Sequence, residues 1–209
     1  AGNKISALYT RPRLMKFLDS LPVEARPKFA RGDCAWGNEG AMCDFEQRGI
    51  PYLFKVRQTS GVKRLIERLF WQEKWVFAGQ GWEGCESTLQ LTGWNKKRRV
   101  VVLRRQIKEK KRKEVKAAKD SGQIVLFESK EQTWEYAVLV TTLSDAILTI
   151  AQHYRDRADS ENNFDELKNQ WGWCGFTTQD FKRCQLMARI IALIYNWWTL
   201  FVRLAEPGR

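Results

Sequence analysis

The chain has 209 residues, enough for one domain with a sizeable core and room for an insertion. Thirty-six lysines and arginines against 24 acidic residues give a formal charge of +12, which favours a polyanionic partner such as nucleic acid over an ordinary basic surface. One histidine, His153, excludes a histidine triad or a multi-histidine metal site, and five cysteines without a CxxC pair argue against a disulfide framework and a zinc site.

Alternating helix and strand patterns fill the first third of the chain. They predict a helix at 12–20, a strand at 28–33, a helix at 40–48, a strand at 51–57 and a helix at 62–71. The first of these strands ends at Asp33. This alternation is typical of an α/β layer, and we assign residues 1–74 to the first part of an α/β core.

The middle of the chain, residues 75–134, consists of short, glycine-punctuated segments that predict a β-rich insertion. Within it, residues 96–119 hold 13 lysines and arginines against two glutamates, a net charge of +11. Such localised charge indicates contact with the DNA backbone, although a solvated, partly disordered loop remains the alternative. The basic residues proposed to contact DNA phosphates are Lys96, Lys97, Arg98, Arg99, Arg104 and Arg105.

Residues 135–209 return to the α/β pattern and complete the core. They predict a buried strand at 135–142, one long helix capped by Ser144 or Asp145 and running through Lys168, and a last helix at 179–205 capped by Thr178. The apolar stretch 188–205 is interrupted by charged and amide side chains, so we expect a buried core helix rather than a membrane span. No apolar leader is visible at the N-terminus, and the odd cysteine count without a CxxC pair favours a reducing cytoplasm. We expect no membrane partner.

Four polar residues share one stripe of the predicted long helix. Tyr154, Arg157, Glu161 and Lys168 lie at offsets of 0, 3, 7 and 14, which at about 100° per residue places them within roughly 60° of one another. Such a stripe is a poor core face because buried charges are costly, but it suits a metal ion and a phosphate. The alternative is a solvated helix face with an Arg157–Glu161 pair. Asp33 is likewise either a metal ligand or a helix cap.

The spacing Tyr154-x2-Arg157-x3-Glu161-x6-Lys168 resembles the YREK signature of bacterial insertion-sequence DDE transposases. The order of predicted elements and the segment RGDCAWGNEG (31–40) are also similar to that family. The resemblance implies a ribonuclease H-like mixed sheet flanked by helices, with a β-rich insertion before the helix that carries the catalytic glutamate. The family members are longer at the N-terminus, so we expect N-terminal strands to be missing.

The resemblance also implies the active site. Asp33 corresponds to the second catalytic acid and Glu161 to the third, and both would hold a pair of Mg²⁺ ions, with Mn²⁺ as a substitute. Asp165 lies near the same stripe and is a reserve ligand. The first acid lies upstream in the family, and Asp19, on a helix-like segment, does not match it. We therefore expect a site completed by an aspartate outside this chain and a fragment that is inactive by itself.

The family comparison implies the remaining contacts and partners. Tyr154, Arg157 and Lys168 would bind phosphate at the transposon end, and Trp134 or Trp94 would hold a flipped base. The expected partners are double-stranded DNA, as terminal inverted repeats and target, and a second copy of the chain on paired ends in the bacterial nucleoid. Alternatives are a truncated remnant that only binds DNA, a basic nucleic-acid-binding protein without catalytic ancestry, and an unrelated metal nuclease.

Overall fold

The computed structural model describes residues 6–72, 74–107, 125–128, 133–173 and 175–206. The helices are α1 (Ser6–Ser20), α2 (Glu39–Gln47), α3 (Ser60–Phe70), α4 (Ile147–Arg155), α5 (Arg157–Asn169) and α6 (Phe181–Ala205). The strands are β1 (Ala30–Gly32), β2 (Tyr52–Lys55), β3 (Val76–Phe77), β4 (Trp82–Leu89), β5 (Arg98–Gln106), β6 (Val125–Glu128) and β7 (Thr133–Thr141). The chain forms two compact units, Ala1–Arg155 and Asp156–Arg209.

The first unit is built on one mixed sheet in the order β1-β2-β7-β5-β4-β3, with β6 also paired to β7. β1 and β2 are parallel, whereas the pairs from β2 onward are antiparallel. Helices flank this sheet, so the predicted α/β class with a mixed sheet is confirmed.

The segment predicted as a β-rich insertion contributes its strands to the same sheet. β5 lies between β4 and β7, and β7 in turn pairs with β2. The segment therefore extends the core sheet rather than forming a separate layer. The division into 1–74, 75–134 and 135–209 stays a prediction.

Two apolar clusters cover the two faces of the sheet. Val100 and Val102 of β5 face the cluster formed with α1, α2 and α3, whereas Val101 and Leu103 face the cluster formed with α4. Because successive side chains of a strand point to opposite faces, a strand buried on both sides needs an unbroken apolar run. The sequence of β5 supplies that run between its basic ends.

A buried ion-pair network fastens α2 to β5. Arg98 is only 5% exposed, and its guanidinium lies 2.7 Å from Oε2 of Glu39 and 2.8 Å from Oε1 of Glu46. The Tyr52 hydroxyl donates to the same Glu46 oxygen at 2.8 Å. A buried charge is tolerated only when it is paired and hydrogen-bonded, and here two carboxylates satisfy one guanidinium.

The single long helix predicted through Lys168 is wrong. α4 ends at Arg155 and α5 begins at Arg157. At the end of α4, Arg155 donates to the carbonyl of Ala78 at 2.8 Å, which anchors the last turn of α4 to the segment between β3 and β4. No glycine or proline marks the break, so the sequence pattern carries no signal for it. The predicted caps are also wrong, because α4 begins at Ile147, beyond Ser144 and Asp145.

The prediction that residues 188–205 form a buried core helix is also wrong. Tyr195 is the only residue of α6 that is buried among those described, while Trp197 is 64% and Leu204 74% exposed. Apolar residues surround most of this helix, so periodicity does not identify the side that packs. By length and composition alone α6 could also cross a membrane, a test that core helices of soluble proteins pass as well. Its N-cap is Asp180, which accepts from the backbone N–H of Arg183, and not Thr178.

Replacing Arg98 should destabilise the first unit strongly. In Arg98→Met, two partly buried carboxylates lose their partner, and we expect the free energy of unfolding to fall by about 3 kcal/mol. The matched control is Lys96→Met, which removes a 56% exposed ammonium from the same Glu46 carboxylate and should cost no more than about 1 kcal/mol. Urea unfolding of both variants measures the difference, and equal losses would contradict the structural role of Arg98.

The same network makes stability depend on pH. Burial by itself raises the pKa of Glu46, but hydrogen bonds from Arg98, Lys96 and Tyr52 outweigh burial and lower that pKa to about 2 from the usual 4.5. A carboxylate with a lowered pKa stabilises the fold fully above its unfolded pKa, and this contribution is lost as the pH falls from 4.5 toward 2.

Glu46→Gln should therefore lower the free energy of unfolding most near neutral pH, and the deficit should shrink as the solution is acidified through that window. Urea titrations at a series of pH values give this difference directly. Glu67→Gln, on the exposed face of α3, serves as the control and should show no such convergence. A deficit for Glu46→Gln that is constant with pH would refute the assignment.

Candidate active site

Asp33 follows β1 directly and is held in a tight turn. Its Oδ1 accepts from the backbone N–H of Ala35 at 2.9 Å, and its carbonyl accepts from the N–H of Trp36 at 3.1 Å. The residue is exposed. Because β1 and β2 are parallel, Asp33 lies at the carboxyl edge of these strands, where ligand and metal sites gather in α/β sheets. A strand is found at the predicted place, but it spans 30–32 rather than 28–33 and ends one residue before this acid.

A glycine permits the packing that fixes this turn. A Cβ on Gly32 would lie 2.8 Å from Cβ of Trp36 and 2.9 Å from Cδ1 of Phe54. The Trp36 ring therefore crosses the end of β1 and packs at 6.3 Å from the ring of Phe45. The turn that carries Asp33 is positioned by this aromatic contact, which depends on the absence of a side chain at Gly32.

The end of α4 is tied to β1. Arg31 donates from Nη1 to the carbonyl of His153 at 2.8 Å, and the His153 ring lies 5.1 Å from that of Phe29. Asp33 and Tyr154 are each within two residues of this link, so the first unit joins the strand that precedes Asp33 to the helix that carries the signature tyrosine. Sequence reasoning missed Arg31, because no local pattern reveals a contact across 122 residues.

The YREK residues are divided between two helices. Tyr154 lies near the end of α4, partly buried against the cluster on that face of the sheet. Arg157, Glu161 and Lys168 lie on α5, where the helical repeat places them within about 40° of one another. The expected stripe of four residues on one helix is corrected to a stripe of three, with Tyr154 on the preceding helix.

Glu161 is an accessible carboxylate with one close partner. Nη1 of Arg157 lies 2.6 Å from Oε1 of Glu161, and the glutamate side chain is 60% exposed. Lys168 is exposed on the same helix. Asp33 and Tyr154 belong to the first unit, whereas Arg157, Glu161 and Lys168 belong to the second. Within each unit, the described residues include no group of three or more histidine, cysteine, aspartate or glutamate side chains able to hold a metal.

The helix that carries Glu161 is held on α6 by a polar and aromatic contact. The Tyr195 hydroxyl donates to Oε2 of Glu166 at 3.0 Å, and Nε1 of Trp171 donates to Oε1 of Glu166 at 3.2 Å. The rings of Trp171 and Tyr195 meet edge to face at 5.6 Å. Burial, followed by the hydrogen bond to Glu166, raises the pKa of Tyr195, so this hydroxyl remains a donor.

The basic residues predicted to contact DNA from β5 are mostly occupied within the fold. Arg98 is excluded as a phosphate ligand because its guanidinium is buried and already bound by two glutamates. The acids Glu86, Glu83 and Glu135 pair at 2.6–2.7 Å with Arg99, Arg104 and Arg105 respectively. Lys96 pairs with Glu46 at 2.9 Å. Most of the basic run lies at 108–119, outside the described residues.

The two tryptophans predicted to hold a flipped base differ in access. Trp94 is 9% exposed and has the Arg98 guanidinium 5.5 Å from its ring centroid, so its ring is not open to a base. Trp134 begins the part of β7 that pairs with β5, is partly buried, and has the Arg104 guanidinium 4.6 Å from its centroid. A base stacking on that face of Trp134 would have to displace Arg104.

Asp19 has a structural role. It lies on α1, and its two carboxylate oxygens accept from Nε and Nη2 of Arg48 at 2.7 Å each. The hydrogen bonds from Arg48 lower the pKa of this exposed carboxyl. A carboxylate on a helix and paired in this way does not match a first catalytic acid on a core strand.

The mixed sheet flanked by helices is consistent with a domain of the ribonuclease H-like class. The family model for the transposase DDE domain matches residues 9–197, so the chain belongs to the DDE transposase family. No curated protein matches the chain. Proteins of this family act on DNA and generally use divalent metals.

The close approach at Gly32 gives a test of how the Asp33 turn is positioned. Gly32→Ala should force Trp36 or Phe54 to move and lower the free energy of unfolding by roughly 1–3 kcal/mol. Gly175→Ala, where a Cβ would meet only the Gly172 carbonyl at 3.9 Å, is the matched control and should be close to neutral. Thermal unfolding distinguishes the two, and an equally mild effect at both positions would show that Gly32 is not required.

Proposed function

We propose that this chain carries the cleavage and strand-transfer chemistry of a bacterial insertion-sequence transposase of the YREK subgroup. The observation that carries the proposal is the exposed Asp33 carboxylate at the carboxyl end of β1, in a chain that matches the DDE domain over residues 9–197. Glu161, exposed on α5 with Arg157 and Lys168 on the same face, supports it.

The donor chemistry of these acids fits a divalent metal. Magnesium prefers carboxylate oxygens, and both Asp33 and Glu161 present exposed carboxylates. These two residues would hold Mg²⁺, or Mn²⁺ in its place, together with a further carboxylate. When bound, a metal pair polarises the scissile phosphate and lowers the pKa of a water or 3′-hydroxyl nucleophile.

The signature residues would then orient the DNA. Arg157 and Lys168 offer a guanidinium and an ammonium to phosphate oxygens on the face that carries Glu161. The 2.6 Å contact with Arg157 holds the two side chains next to each other on α5. Tyr154, at the end of α4, would donate its hydroxyl to a neighbouring phosphate, and Asp165 is the reserve ligand.

The proposed substrate is double-stranded DNA, as the terminal inverted repeats of the element and the target site. Two copies of the chain would act on paired ends in the bacterial cytoplasm, at the nucleoid and without a membrane partner. Trp134 is the residue proposed to hold a flipped base, in exchange for its contact with Arg104.

The decisive variant is Glu161→Gln. In a protein that also supplies the further carboxylate, we expect it to lower Mg²⁺- or Mn²⁺-dependent cleavage of DNA spanning the flanks of its own coding sequence by more than about a hundredfold, because residues that only support metal ligands already contribute 10–100-fold. Binding of the same DNA should be retained, since a neutral amide replaces an acid. Cleavage is followed on gels and binding by fluorescence anisotropy.

Glu67→Gln removes an exposed carboxylate from α3 and should leave both cleavage and binding unchanged. If the parent chain binds DNA without cutting it and Glu161→Gln behaves identically, the chain is a DNA-binding remnant. If Asp165→Asn abolishes cleavage and Glu161→Gln does not, the reserve ligand is the catalytic one. Cleavage with no preference for the flanking DNA would indicate an unrelated metal nuclease.

A further inference from the structure

A cleft of about 1170 Å³ lies in the first unit and is lined by three segments of the chain. One is the loop Gly37–Glu39, a few residues after Asp33. The second runs from the end of β2 into α3, and the third is the connection between β4 and β5. Its volume is above the range of roughly 300–1,000 Å³ typical of small-molecule pockets, and it suits a segment of a polymer.

Four basic side chains line the cleft, namely Arg57, Arg64, Arg68 and Lys97. All four are exposed. Among the residues that the structure describes, no carboxylate lies within 4.0 Å of any of these four groups. The lining acid Glu39 is engaged by the buried Arg98. The cleft therefore carries uncompensated positive charge, in contrast to the arginines of β5.

The uncharged lining indicates what kind of anion would fit. Hydroxyl and amide groups that can bind phosphate oxygens come from Thr59, Ser60, Thr88, Gln90 and Thr92. The one aromatic residue of the lining, Trp94, is 9% exposed and offers no platform on which a base could stack. The chemistry of the cleft is that of a phosphodiester backbone contact without base readout.

We propose that this cleft binds the sugar–phosphate backbone of DNA as a contact separate from the YREK residues and from the basic run at 96–119, apart from the shared Lys97. The inference rests on the proposed function and adds to it a second, sequence-independent contact in the first unit. Arg64 and Arg68 stand one helical turn apart on α3, about 5–6 Å between their Cβ atoms, and can therefore bind neighbouring phosphates. Arg57 lies on the same wall, just before α3, and Lys97 lies on the wall formed by the connection between β4 and β5.

The test compares two triple variants of equal charge. Arg57→Gln/Arg64→Gln/Arg68→Gln removes three cations from the cleft, and Arg13→Gln/Lys16→Gln/Lys63→Gln removes three that do not line it. Affinity for a short duplex of unrelated sequence is measured by fluorescence anisotropy over a range of salt concentrations. Each cation that no longer neutralises a phosphate should reduce the slope of log affinity against log salt by about 0.9, so the slope of the cleft variant should fall by roughly 2–3.

The control variant should keep nearly the parental slope, and Arg57→Lys/Arg64→Lys/Arg68→Lys should restore it because charge is preserved. Thermal unfolding checks that these substitutions leave the fold intact. Equal slopes for the two glutamine variants would overturn the cleft contact while leaving the transposase proposal in place, because the parent would still bind DNA. A parent chain without measurable DNA affinity would overturn both.

Discussion

The buried guanidinium of Arg98 is the constraint on which the first unit depends. It is the first residue of β5, a strand with a neighbour on each side, yet its two carboxylate partners both come from α2, one near each end of that helix. Since neither the cation nor the acids tolerate burial alone, α2 can occupy only the position that satisfies all three. α2 in turn begins after Asn38, whose side chain caps it, so the loop between β1 and α2 has fixed ends. The position of the turn that presents Asp33 therefore depends on the charge of Arg98, which lies on another strand, β5.

The positive charge of the chain divides into two populations with different physical roles. The arginines of β5 are matched to acids on β4, β7 and α2, and their stacking on Trp75, Trp82 and Trp134 adds to their role in holding the sheet. The arginines of α3 and of the segment before it face a cleft in which no described carboxylate pairs with them. Charge density along the sequence does not separate these populations, because cross-strand partners lie tens of residues away. The paired register of β4, β5 and β7, together with the position of α2, shows which cations are neutralised.

The elements that can be predicted from the sequence are those in which burial follows a simple period along the chain. The strand just before Asp33, the helix ending before Gly49 and the buried strand at 135–142 are predictable because alternating or continuous apolar runs report directly on burial. The break between α4 and α5 is not, because Asp156 keeps a near-helical backbone, φ −61° and ψ −10°, and no residue type marks it. The exposure of α6 is not predictable either, because a helix that is apolar on most sides does not indicate its partner. In the site, residue types are predictable from the signature, whereas the link from Arg31 to His153 depends on tertiary structure.

The single histidine, His153, has structural contacts within the first unit. Its ring packs against Phe29 and its carbonyl accepts from Arg31, so its contacts in the structure are those of a residue joining β1 to α4. The described cysteines are free thiols, and burial is the largest factor raising the pKa of Cys43 and of Cys85, which leaves neither as an activated nucleophile. The two acids proposed as metal ligands, Asp33 and Glu161, are both exposed. The proposed phosphoryl transfer through metal-held oxygen nucleophiles needs no other side-chain base, so it is compatible with a chain whose single histidine joins β1 to α4.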